Sequence, residues 1–138
     1  MRYKGIAYPL IKHPRGFFHN AASDIAQVKS DMAAIILTEP GERIFVPYFG
    51  TGLRKVNLNA PMEIVKDAMR VKIATALKKW EKRVQVSDIG VELIKDKENN
   101  VLVAKVSVLF LDPFNIKDIQ SLIIYKSLGG LDGRPMPF

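Results

Sequence analysis

Residues 62–93 read MEIVKDAMRVKIATALKKWEKRVQVSDIGVEL, and the period of their apolar positions changes part-way through. Met62, Val65, Met69, Ile73, Ala76, Leu77 and Trp80 recur at steps of three and four, the spacing of one face of a helix running to about Arg83. Asn59-Ala60-Pro61 precedes it as a helix start with proline at the first position. After Val84 the step falls to two: Ile89, Val91 and Leu93 alternate with polar or small residues, which is the pattern of a half-buried strand. The polar cluster Asp96-Lys97-Glu98-Asn99-Asn100 then separates this strand from Leu102, Ala104, Val106, Val108 and Phe110, so the two runs predict a hairpin. Asp112-Pro113-Phe114-Asn115 breaks the second strand, and residues 118–127, centred on Leu122-Ile123-Ile124-Tyr125, read as a third.

Upstream, Ile25, Val28, Met32, Ile35 and Ile36 predict a first helix from about Ser23 to Leu37, with Asp24 in its first turn and Glu39-Pro40-Gly41 as its stop. Residues 1–20 contain Pro9 and Pro14 and are expected to form an extended arm docked by Tyr3, Tyr8, Phe17 and Phe18. Residues 129–138 are expected to form a flexible Gly- and Pro-rich tail that orders against a neighbour through Leu131, Met136 and Phe138. Helices followed by strands, rather than alternating with them, give an α+β fold: a single domain over 1–138 with two helices packed on a small antiparallel sheet.

With 138 residues, 48% hydrophobic and 25% charged, the chain can bury one core. It has no cysteine, which removes disulfides, thiolate nucleophiles and iron–sulfur clusters. No apolar stretch approaches the ~20 residues that span a bilayer, and a soluble, untargeted protein without membrane contact is expected. The net charge is +7. Much of it sits in residues 66–83, where Lys66, Arg70, Lys72, Lys78, Lys79, Lys82 and Arg83 face only Asp67 and Glu81. On a helix these cations surround the apolar stripe instead of forming one track with aromatics between them, so solvated flanks or an acidic protein partner fit better than nucleic acid.

No pattern of cofactor, metal or nucleophile chemistry stands out. His13 and His19 lack metal-ligand spacing, no G-x-S-x-G is present, and Gly129-Gly130-Leu131-Asp132-Gly133 is not followed by a helix. Glu39 and Glu42 are the obvious carboxylate pair for glycoside hydrolysis. Beside Arg43 they would stay ionised, the wrong direction for a general acid, so a Glu42–Arg43 pair that pins the turn is expected, with Arg43 bonding carbonyls of residues 47–53.

The connection E-P-G-E-R-I-F-V-P-Y-F-G-T-G-L, residues 39–53, is heavily specified for a loop. Thr38-Glu39-Pro40-Gly41-Glu42-Arg43, then Pro47, Phe49-Gly50 and Leu53, closely resembles the signature of the gene-25-like baseplate wedge family of contractile phage tails, type VI secretion and related injection machines. Gly5-Ile6-Ala7-Tyr8-Pro9 and Gly16 resemble that family's N-terminal arm. Trp80-Glu81-Lys82-Arg83 resembles its helix-end motif, with Lys82 where the family usually has proline. The resemblance covers about residues 3–127.

It implies a structural, non-enzymatic baseplate wedge component with a fold like the sheath handshake domain, needing no cofactor. Such a protein would join wedge proteins to the tail tube and hub, template the first ring of tail sheath, and reside in the virion after assembly in the bacterial cytoplasm. Glu42, Arg43, Pro47, Phe49 and Gly50 would shape the motif loop. Glu81 and Arg83 would contact a neighbouring wedge protein. Ile64, Ala68, Val71 and Thr75, a second stripe on the longer helix, would meet wedge or core-bundle helices, and Leu122, Ile123, Ile124 and Tyr125 on an edge strand would meet sheath. The competing readings are a cell-wall glycosidase, tested by peptidoglycan turnover, and a small basic nucleic-acid-binding domain, tested by salt-dependent affinity.

Overall fold

The computed structural model describes Ile6, Lys12 and residues 14–16, 24–115 and 117–130. The expected arm, apart from its few described residues, both histidines and residues 131–138 of the expected tail lie outside these. Helix α1 spans Asp24–Leu37, α2 spans Met62–Trp80, and a single 3-10 turn, Leu53–Lys55, lies between them. Strands β1 (Gln85–Asp96), β2 (Val101–Leu111) and β3 (Ile119–Gly130) follow as an antiparallel sheet in the order β1-β2-β3. This is the α+β architecture expected of the sequence.

Alternation decides which side of the sheet is covered. Ala104, Val106, Val108 and Phe110 of β2 are fully buried, and Val91, Ile124 and Leu128 join them from the flanking strands. Against that face α1 supplies Val28, Met32, Ile35 and Ile36, and α2 supplies Val65, Met69, Ile73, Ala76 and Leu77. A fully buried side chain of this size contributes roughly 1.5–3 kcal/mol, so this interface holds the fold together. The helix α1 packs toward β3 and α2 toward β1. On the other face Ile94, Leu109, Ile123 and Tyr125 are exposed.

Several boundaries differ from the expectation. Pro61 is the cap before α2 rather than its first residue, and Met62 is exposed instead of belonging to the core face. The helix ends at Trp80 because Glu81 leaves helical geometry (φ −118°, ψ 85°) while its N–H still bonds Leu77 O. Strand β3 continues to Gly130, paired with Val101, so the first two residues of the expected tail belong to the sheet. The β1–β2 turn is held by the Asp96 carboxylate, which accepts from the backbone N–H groups of Glu98 and Asn99 and from the Asn99 amide.

Candidate interaction site

The motif loop is closed at its neck by short-range geometry. Thr51 donates its N–H to Thr38 O at 3.1 Å and its hydroxyl to Ile36 O at 3.0 Å, so the loop leaves and re-enters the core at the C-terminal end of α1. Gly50 lies flat against that end. A β-carbon there would sit 2.2 Å from Thr38 O, and its φ of +122° belongs to glycine. Farther out, Gly41 N–H donates to Pro47 O at 2.7 Å and Phe49 N–H to Val46 O at 3.1 Å, which bends residues 42–46 into a compact turn.

The charges of this loop pair differently from the expectation. Glu42 and Arg43 do not bond each other, and Arg43 holds no carbonyl of residues 47–53. Glu42 instead accepts the Glu39 N–H at 3.1 Å, and the Arg43 guanidinium lies over the Phe49 ring, 3.9 Å from its centroid. The buried acid is Glu39. It forms an ion pair with the equally buried Lys126 of β3, whose ammonium also donates to Leu37 O at 3.2 Å and Ile36 O at 3.4 Å. One cation thereby uses three donors on the end of α1, where free carbonyls and the helix dipole both favour positive charge. Arg54 N–H approaches the same Glu39 oxygen at 3.4 Å. The sequence signal for Lys126 is its phase, since it falls in step with Leu122, Ile124 and Leu128 on the core-facing side.

The second motif meets the first. Phe49 packs on Trp80 with ring centroids 5.1 Å apart, and Lys79 Nζ sits 5.0 Å from the Trp80 ring and 6.0 Å from that of Tyr48. Just beyond, Glu81 is buried and receives Arg83 at both oxygens, at 2.8 and 2.7 Å, while a nitrogen of Arg83 also donates to Asp31 of α1 at 2.6 Å. The hydrogen bond to Glu81 foremost, working against desolvation, and then that to Asp31 raise the Arg83 pKa further above its already high ordinary value. Glu81 and Arg83 thus clamp the end of α2 to α1 within the chain. Between the two motifs opens a cavity of about 460 Å³ walled by Ala34, Ile35, Arg43, Phe49, Trp80 and Lys82 with the clamp at its base. Two stretches separated by some thirty residues of sequence form one surface feature.

The remaining candidate residues lie apart from it. Ile64 and Val71 are exposed on the outer side of α2, with Thr75 also exposed and Ala68 half-buried. A groove of about 580 Å³ runs between this side of α2, at Arg70, Val71, Ala74 and Lys78, and residues 84–89 at the start of β1. There Ser87 is a bulge with no β2 partner. On β3, Ile124 is buried and Leu122 half-buried, so of the four expected sheath-contact residues only Ile123 and Tyr125 face outward. β3 is an edge strand: no described strand pairs with its outer side.

The family model described as Baseplate wedge protein gp25 matches residues 22–111, well over half of the chain. The chain belongs to that family. The matched span contains both motifs, the clamp and the first two strands, and membership makes the protein a contractile-tail baseplate component. Two solved structures share the fold of this wedge-family chain. A candidate tail lysozyme from Geobacter sulfurreducens is 16% identical, with a TM-score of 0.62, over 78% of this chain and 93% of its own. A chain of the anti-feeding prophage baseplate is 17% identical, with a TM-score of 0.59, over 95% of this chain and 90% of its own. No curated protein sequence matches the chain.

Proposed function

We propose that this wedge-family protein joins neighbouring wedge proteins to the tube and hub and offers its sheet as the starting template for the tail sheath, without catalysing a reaction. The observation that carries the reading is the sheet itself. Its helices cover one face, β1 and β3 are both edges among the described residues, and β3 presents Ile123 and Tyr125 outward. A strand edge with free N–H and C=O groups suits a partner that adds its own strand, with backbone bonds giving affinity and side-chain alternation giving register. Residues 121–125 carry no charge and no proline, so an uncovered edge there invites aggregation and a designated partner explains why it is tolerated.

The glycosidase reading gains nothing from the geometry. Glu39 is committed to Lys126 inside the fold, and the exposed Glu42 accepts the Glu39 N–H with no second carboxylate beside it in the concavity that it lines, so the pair needed for glycoside hydrolysis is not assembled. The clamp supports a role for Glu81 and Arg83 in holding the surface that a wedge neighbour meets. Deleting the gene in the producing cell and restoring it with an Ile123→Asp, Tyr125→Asp variant tests the template role. Electron microscopy should show tubes lacking sheath, while fully sheathed tails from that variant would refute it.

A further inference from the structure

The most exposed apolar side chains of the described protein sit together at the tip of the motif loop: Phe45 is 97% exposed, Ile44 88% and Tyr48 77%. They are not on a slack segment, because the Gly41–Pro47, Phe49–Val46 and Thr51–Thr38 bonds fix the turn below them and Gly50 anchors it to α1. We infer that this tip is a preformed knob that inserts Ile44 and Phe45 into an apolar cleft, rimmed by carboxylates, on another folded protein.

Three observations select that occupant. First, the charges at the base of the knob are cationic and held in place, with Arg43 laid on Phe49 and Lys79 between Tyr48 and Trp80. The one acid of the turn, Glu42, is turned back onto the Glu39 N–H. Fixed cations around apolar anchors match fixed carboxylates around a cleft, and aromatic anchors on a rigid loop lose little entropy on binding. Second, residues 42–46 line an open concavity of about 420 Å³ on the turn, room for a partner side chain to enter in return. Third, a preformed turn carrying three apolar side chains is neither an amphipathic helix lying in the interface nor an acyl anchor, the forms in which a chain commonly holds to a bilayer surface, so lipid is the poorer fit. The inference concerns the contact chemistry and holds whichever assembly contains the chain.

The test places a benzophenone amino acid at position 45 of the full chain in its producing cell, with the same probe at Lys97 in the β1–β2 turn as control. Cross-linked peptides are mapped by mass spectrometry. The expected product is one polypeptide, linked at an apolar site flanked by Asp or Glu, and formed on the order of tenfold more than from position 97. In parallel, Ile44→Ser, Phe45→Ser should keep the melting temperature and lose the co-purifying complex of that polypeptide. Equal cross-linking from both positions, an unaltered complex in the double variant, or unfolding of that variant would overturn the proposal. Sedimentation with phosphatidylglycerol vesicles that depends on Phe45 would overturn it in favour of a membrane contact.

Discussion

Gly50 and Lys126 are the two positions where one residue decides whether the motif loop exists in its observed form. At Gly50 a methyl group meets the Thr38 carbonyl head-on, and the positive φ adds strain that no side-chain rearrangement relieves. Gly50→Ala is expected to cost roughly 2–4 kcal/mol, read as a lower urea midpoint with an unchanged slope. Lys126 has a different physics. Its removal leaves Glu39 buried and unpaired and uncaps α1, so Lys126→Met should cost roughly 3–5 kcal/mol, whereas Glu39→Gln combined with Lys126→Met should cost less than the sum of the two single changes. Additivity in that double-mutant cycle would show that the pair acts independently. Neither position could be read fully from the sequence. The loop stood out by its composition, but 87 residues of sequence separation hide Lys126 from Glu39 until the register of β3 is known.

At the scale of elements, periodicity was the dependable signal, and departures from it have local causes. Both helices and all three strands follow from apolar spacing, since burial against one face is what that spacing records. The end of α2 does not follow, because Glu81 is turned out of the helix to meet Arg83, and that contact pairs side chains rather than apolar faces. The β1–β2 turn makes an element-scale prediction about pH. Hydrogen bonds from the Asn99 side chain first, and then from backbone N–H groups of the turn, hold the Asp96 carboxyl below its usual range. A lowered folded-state pKa stabilises the protein above the unfolded-state value, and that stability is lost as pH falls from the ordinary aspartate range through the lower folded value. The acid-side decline in melting temperature should be shallower in Asp96→Asn than in the parent, and identical profiles would show the turn to be irrelevant to acid stability. Asn100, at φ 52°, completes the same turn in a conformation that asparagine tolerates.

For the whole molecule, the division of labour is between a covered sheet face that makes the core and the features left outside it: two strand edges, the α2 groove, the cavity between the motifs and the knob. Among the described residues, helices lie on one side of the sheet only and leave its other face and both edges open, the surfaces that the proposed junction role would use. The central claim is that assembly completes the sheet. Cryo-electron microscopy of the intact contractile particle, at side-chain resolution in the ring where baseplate meets sheath, tests it most directly. The expected result is this chain in that ring with a strand from a sheath subunit hydrogen-bonded along an outer edge of its sheet; the chain in place with β1 and β3 both unpaired on their outer sides would show that assembly does not complete the sheet.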